Sequence, residues 1–244
     1  MRSLAPLAAI HLAGNALLLW LGYYWLGLGE TRAATLLWSA LVALLLLSLA
    51  SWLHGATFAY FAADPRRLTA AFRTSLRRLG PLVAAAIVVL AIYLLLAAWA
   101  AYSPRPAFKI ASYLTLTFRK PVKPASVLAV LNAALWLIRW MVVPVVLLPI
   151  LSGIATQGWR GAAPRSRKPV YWVETPVLLV CALWIPLQLM GWAPHVGGFG
   201  MEMFSFVVRL IAAYLLFVGA WLALTFLTSG GNPRVTQSST AVSP

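Results

Sequence analysis

The chain has 244 residues, of which 62% are hydrophobic and 9% are charged, whereas soluble globular proteins carry about a quarter charged residues. Its 19 Lys and Arg residues outnumber four Asp and Glu residues, which gives a formal net charge of +15. No polar stretch reaches the ~100 residues of a typical soluble domain. We therefore predict a single transmembrane domain, residues 1–228, rather than a soluble protein.

The positive charge lies mostly in short loops beside apolar runs. In a soluble chain this excess would indicate nucleic-acid binding, but beside membrane spans it sets topology and attracts anionic lipid headgroups. We predict membrane lipids and other membrane proteins as partners, and no nucleic acid.

Six apolar runs are each near the ~20 residues that a helix needs to cross the hydrocarbon of a bilayer. The first run is too long for the apolar core of a signal peptide and ends in aromatic residues, so we expect it to be retained as a span. The hydropathy predicts an all-α, polytopic helical bundle. Its six spans are residues 7–28, 33–61, 79–101, 126–155, 175–192 and 203–227.

The distribution of Lys and Arg among the connections predicts the orientation. Eleven lie on the side of the termini and six on the other side. Because basic loops stay in the cytoplasm, we expect both termini to be cytoplasmic. The connection between spans 3 and 4 is the exception, since it places five basic residues on the outer side.

A short amphipathic helix is predicted between spans 2 and 3. Asp64 and Pro65 are typical of a helix start, and the arginines that follow alternate with apolar residues as in an interfacial helix. The arginines expected to contact headgroups are Arg66, Arg67, Arg73, Arg77 and Arg78. The alternative is that they only enforce topology.

The connection between spans 3 and 4 has an ambiguous pattern in residues 108–118, which fits either a strand or a helical face. An isolated strand in a bilayer would leave backbone groups unpaired. We therefore predict a second short interfacial helix here, with Pro121 and Pro124 marking the turn into span 4.

Three further predictions concern the second half of the chain. The residues Arg160, Arg165, Arg167 and Lys168 indicate a cytoplasmic loop between spans 4 and 5. In span 5, Pro186 should kink the helix, because its ring removes a donor and clashes with the preceding turn. We expect a flexible glycine-rich loop around residues 193–200 and a disordered tail over residues 229–244.

Arg139 stands between Trp136 and Trp140 in span 4, about 20 Å of helix from either end. A charge at that depth costs roughly 2.5–3.5 kcal/mol on insertion scales, and the four acidic residues all lie near span ends. Two explanations remain open. In the first, carbonyls, aromatic faces or polar side chains of the protein stabilise the buried charge. In the second, the charge binds an anion or a lipid phosphate. The candidate intramembrane site comprises Arg139, Trp136, Trp140, Asn132 and Asn15.

The sequence contains no motif for nucleotide binding, nucleophilic catalysis or metal binding. His11 and Asn15 share one face of span 1, where they either line a polar cavity or bond to a neighbouring helix. His54 and His195 are isolated along the sequence, so we predict no metal and no cofactor.

Short matches around Asn15 in span 1 and Asn132 in span 4 fit a three-plus-three inverted repeat, an architecture common in transporters. Chance is the alternative explanation, because Leu, Ala and Trp are abundant in this chain.

Residues 54–61 (HGATFAYF), 71–73 (AFR) and 76–81 (LRRLGP) resemble uncharacterised bacterial six-span membrane proteins. Those proteins are similar to the membrane domain found beside glycerophosphodiester phosphodiesterases. The resemblance implies a helical protein of the bacterial cytoplasmic (inner) membrane and carries over no phosphodiesterase activity.

We therefore expect a non-enzymatic membrane scaffold or a partner- or lipid-binding protein. The alternative is a small transporter or flippase-like protein for an anionic or lipid substrate that uses Arg139. A membrane enzyme ranks third, because no nucleophile and base can be named.

Overall fold

The structure is a computed structural model that describes residues 4–29, 31–163, 169–192 and 198–230. Within these ranges the chain is helical and contains no strand. The expectations for Arg165, Arg167, Lys168, His195 and residues 231–244 lie outside the described residues.

The helices follow one another with short connections. The first five are α1 (Ala5–Leu26), α2 (Ala33–Ala62), α3 (Leu68–Arg77), α4 (Leu79–Tyr102) and α5 (Pro104–Phe118). The next are α6 (Pro124–Leu137), α7 (Val143–Gln157), α8 (Pro169–Leu179), α9 (Ile185–Gly191) and α10 (Phe199–Gly230). A π-helical turn, Ile138–Val142, joins α6 to α7, and a second, Val180–Trp184, joins α8 to α9.

Six segments are long and apolar enough to cross a membrane, which confirms the predicted helical bundle. They are Ala5–Leu26, Ala33–Ala62, Leu79–Tyr102, Pro124–Gly161, Pro169–Gly191 and Phe199–Ser229. Their large apolar side chains remain extensively exposed, for example Leu95 at 71%. A soluble protein would bury such residues, whereas a membrane bundle presents them to lipid.

Both predicted short helices are present as α3 and α5. The expected start of the first at Asp64 is wrong, because α3 begins at Leu68 with Arg67 as the N-cap residue and no side-chain cap. The last helix, α10, continues through Gly230, two residues into the segment predicted as a tail.

Contacts between helix ends define two ends of the bundle. At the first, Ser229 Oγ lies 3.4 Å from the carbonyl oxygen of Phe58, so the end of α10 lies beside α2 close to α3. A Cβ built on Gly158 would lie 3.0 Å from the Arg78 guanidinium, which brings the end of α7 to the start of α4. We call this the α3 end, and the opposite side, where α5 lies, the α5 end.

Each π-helical turn ends two residues before a proline, the first before Pro144 and the second before Pro186. Proline has no backbone N–H and its ring clashes with the turn before it, and a widened turn gives that ring room. At Pro186, where the sequence predicts a kink, the structure shows a π-helical turn just before the proline.

Candidate functional site

Arg139 lies in the first π-helical turn and is half-buried. Its carbonyl oxygen accepts a hydrogen bond from the Tyr93 hydroxyl at 2.9 Å. Tyr93 is about 21 Å along α4 from Leu79, at 1.5 Å per residue, so Arg139 lies in the half of the bundle nearer the α5 end. In the described part of the chain, the guanidinium group makes no hydrogen bond and lies over neither neighbouring tryptophan ring.

Two of the other predicted site residues come together in one cavity. Asn15 and Trp140 both line a cavity of about 800 Å³ between α1, α9 and α10, which we call the α9 cavity. Trp136 and Asn132 are exposed on the surface of the fourth span and do not line it. Arg139 is next to the cavity in sequence but is not among its lining residues.

A second cavity, of about 750 Å³, lies between α1, α2 and α3, and we call it the α3 groove. Trp52 Nε1 donates to the Phe72 carbonyl at 3.1 Å, and Ser75 Oγ donates to the Trp52 carbonyl at 2.8 Å. These bonds hold α3 against α2, so that Leu68, Thr69 and Phe72 close one side of the groove.

The predicted headgroup arginines differ in their surroundings. Arg66 is half-buried, and its guanidinium lies 5.5 Å from the Phe61 ring centroid and 5.6 Å from that of Phe226. Four arginines are exposed at the same end of the bundle, namely Arg67, Arg73, Arg77 and Arg78. Arg73 and Arg77 follow Thr69 at intervals of four residues, so the three lie in one row along α3, and the row begins at the rim of the groove.

His11, Asn15 and Thr57 form a buried polar cluster between α1 and α2. Asn15 Nδ2 donates to the His11 carbonyl at 2.9 Å and lies 3.3 Å from His11 Nδ1. Since Nδ1 faces a donor, the proton belongs on Nε2, which donates to Thr57 Oγ1. The Thr57 hydroxyl in turn donates to the Leu53 carbonyl at 3.1 Å. Each donor in this hydrogen-bonded cluster has an acceptor. His11 bonds to the neighbouring helix α2, whereas Asn15 bonds within α1 and also lines the α9 cavity.

His54 is not isolated in the fold, contrary to the expectation from the sequence. Its ring centroid lies 5.6 Å from that of His11 and 4.7 Å from that of Trp221. The hydrophobic pattern held no signal for this meeting, because the three residues lie on three different spans. No group of three or more metal-ligating side chains occurs in the described residues.

Arg209 follows Glu202 by seven residues near one end of span 6, where the sequence predicts that it snorkels to the interface or pairs with that acid. Its guanidinium donates to the Leu189 carbonyl at 3.2 Å and to the carbonyl of Trp192. These are carbonyls at the end of α9, where cations are favoured by the helix dipole. The arginine thus stabilises a helix end rather than pairing with Glu202.

The chain matches no family model, no curated protein sequence and no solved structure. The cavities and the polar groups beside them therefore provide the best indication of function.

Proposed function

We propose that this protein is a non-enzymatic, lipid-binding membrane protein that holds an anionic phospholipid at the α3 end. The observation that carries this proposal is the apolar α3 groove, which is closed on one side by a helix with exposed arginines. An acyl chain occupies the groove, and the phosphate lies beside Arg73 and Arg77.

The composition of the groove favours an acyl chain. Its volume of about 750 Å³ is within the range of roughly 300–1,000 Å³ for ligand pockets. The residues that line it are apolar except for Thr69 and Trp52, and the indole N–H of Trp52 is already bonded to the Phe72 carbonyl.

The charges on α3 favour an anionic headgroup. The helix contains no acidic residue that would compete for its arginines. Arginine binds phosphate through a planar set of donors that suits two oxygens at once. The row from Thr69 through Arg73 to Arg77 therefore offers a hydroxyl and two cations to a headgroup at the membrane surface.

The orientation and the cellular location of the protein are part of the same proposal. Basic loops are retained in the cytoplasm, and the α3 end carries Arg66, Arg67, Arg73, Arg77, Arg78 and Arg160. We place this end in the cytoplasm, together with both termini, in the inner membrane of a bacterium. Another membrane protein that needs this lipid would be the partner of such a scaffold.

The double variant Arg73→Ala and Arg77→Ala should weaken binding of phosphatidylglycerol about tenfold, equivalent to ~1.4 kcal/mol, because each exposed ion pair contributes about 0.2–1 kcal/mol. Equilibrium binding of fluorescent phosphatidylglycerol and phosphatidylcholine to the purified protein in neutral detergent measures the effect. The matched control is Lys120→Ala with Lys123→Ala, which removes two exposed charges at the α5 end.

The exposed groove residue Ala13 offers a second variant. Ala13→Trp should block the groove from the lipid side and weaken both lipids together, because both have acyl chains. Equal affinity for the two lipids in the wild type, or an equal loss in the control pair, would rule out the proposed headgroup site.

A transporter or flippase-like protein is the second candidate function, and the arrangement of the two large cavities favours it. The α3 groove and the α9 cavity lie along opposite halves of α1, and Leu18 lines both. Lipid-accessible cavities in the two halves of a bundle would give a substrate a stepwise path across the membrane.

The variant Arg139→Leu tests that candidate. If an anionic lipid passes Arg139, transfer of fluorescent phosphatidylglycerol between leaflets of proteoliposomes should slow about tenfold, equivalent to ~1.4 kcal/mol of barrier. The midpoint of thermal unfolding should hardly change, because the guanidinium has no hydrogen bond to lose among the described residues and Tyr93 bonds only to the backbone.

Lys109→Leu is the matched control, since it removes an exposed charge from α5 outside both cavities. Unchanged transfer in Arg139→Leu, or no protein-dependent transfer in the wild type, would leave lipid binding as the function.

A further inference from the structure

A third cavity, of about 360 Å³, lies between α2, α4 and α10, and we call it the histidine cavity. Most of its wall is apolar, with leucines, alanines and a valine from α2 and α4. His54 on α2 and Trp221 on α10 also line it, and their rings are in edge-to-face contact at 4.7 Å.

Two residues that line this cavity each carry a buried polar atom that has no partner. His54 Nδ1 and Trp221 Nε1 are both buried and make no hydrogen bond within the described structure. A buried polar group without a partner costs about 1–3 kcal/mol, so each such group in a native protein calls for an explanation. By contrast, the neighbouring His11 has a partner for both ring nitrogens.

The chemistry of the two atoms defines what would satisfy them. The indole N–H of Trp221 is a donor only, so its partner must be an acceptor. His54 Nδ1 accepts or donates according to the tautomer. A hydroxyl oxygen accepts from the indole and donates to the imidazole, whereas a carbonyl oxygen accepts from both. Because the ring centroids lie only 4.7 Å apart, a single ligand oxygen between the rings is the simplest partner for both atoms.

We propose that the histidine cavity binds a neutral, lipid-soluble molecule through a single hydroxyl or carbonyl oxygen placed between His54 and Trp221. The apolar body of the ligand lies against α2 and α4, where Leu82, Ala86 and Leu90 line the cavity. No charged residue lines the cavity, so a charged headgroup would find no counter-ion there.

This site is separate from the proposed phospholipid site. The histidine cavity shares no lining residue with the α3 groove or with the α9 cavity. An experiment that finds no ligand binding at one site therefore leaves the proposal for the other site unaffected.

The test uses the 244-residue chain in detergent with ¹⁵N-labelled tryptophan and three probes of equal chain length, 1-dodecanol, 2-dodecanone and dodecane. The protein has 12 tryptophans, and the variant Trp221→Phe assigns the indole N–H resonance of Trp221. Dodecanol and dodecanone distinguish a hydroxyl ligand from a carbonyl ligand, and dodecane lacks the oxygen. We expect the oxygenated probes to move the Trp221 resonance in a saturable manner and dodecane to leave it in place.

Three variants complete the test. Of 1-dodecanol and 2-dodecanone, the probe that binds the wild type more tightly should lose about tenfold in affinity in Trp221→Phe and in His54→Leu, since each variant removes one hydrogen bond. Ala86→Phe, which fills the cavity while keeping both polar groups, should abolish binding. The control Trp99→Phe, at an exposed tryptophan outside the cavity, should bind as the wild type does.

Two outcomes would overturn the assignment. One is a Trp221 resonance that no oxygenated probe moves in the wild type, a result that does not depend on the folding of any variant. The other is an oxygenated probe that binds equally well when Ala86→Phe fills the cavity, because its site would then lie elsewhere.

Discussion

Replacement of Gly153 by alanine is expected to destabilise the protein by about 3 kcal/mol, at the upper end of the usual range for overpacking. A Cβ atom at this position would lie 2.0 Å from the carbonyl oxygen of Gly161, and a Cβ at Gly161 would lie 2.0 Å from that of Gly153. Both close atoms belong to the backbone, so no side-chain rotation relieves the clash. The turn after α7 must open instead, and it carries Arg160 at the α3 end.

The control for this variant is Gly219→Ala in the middle of α10, where a Cβ would meet nothing within 4 Å. An alanine in a helix interior is favoured over glycine by about 0.5–1 kcal/mol, so this variant should be neutral or more stable. The midpoint of thermal unfolding in detergent measures both. Equal midpoints for Gly153→Ala and Gly219→Ala would contradict the close approach of Gly153 and Gly161.

The second large effect is expected at His11, which is fully buried at 0% exposure between α1 and α2. His11→Ala should cost about 2–4 kcal/mol, as for other large side chains cut to alanine in a packed interior. The loss comes mainly from packing, including the contact with the His54 ring at 5.6 Å, because hydrogen bonds between membrane helices contribute only ~0.6 kcal/mol on average.

His11→Phe separates the two contributions, since it keeps a ring of similar size and removes both nitrogens. Asn15 would still donate to the backbone carbonyl of residue 11, and Thr57 to the carbonyl of Leu53. We expect this variant to cost about 1 kcal/mol, because it removes two hydrogen bonds that contribute ~0.6 kcal/mol each on average. If His11→Phe proves as unstable as His11→Ala in thermal unfolding, the hydrogen bonds rather than the packing hold α1 to α2.

The two short helices outside the spans, α3 and α5, show how much of the structure local sequence patterns can predict. The polar and apolar order of residues 108–118 fits a strand as well as a helix, and the need to satisfy backbone groups in lipid selected the helix, which the structure confirms as α5. The alternation of arginines and apolar residues predicts α3, but its start at Leu68 rather than Asp64 depends on how the helix packs on α2.

Less of the candidate site could be predicted from the sequence. Arg139 stands out in the sequence because a charge within the membrane costs free energy, and Asn15 because it shares a helical face with His11. The sequence could not show that Asn15 and Trp140 line one cavity while Asn132 faces outward. Nor could it connect His54 to Trp221, which follows 167 positions later in the sequence.

The six spans, both short helices and an irregular turn near Pro186 could be predicted from the amino-acid sequence, because length, hydropathy and proline chemistry act within one segment of chain. Which spans meet became known from the folded bundle, and with it the α9 cavity, the α3 groove, the histidine cavity, the histidine contacts and the approach of Gly153 to Gly161. This division arises because lipid and protein interior are equally apolar. Helices that are apolar on all sides have no hydrophobic face to mark their neighbours, so packing of shapes and a few polar contacts choose the partners.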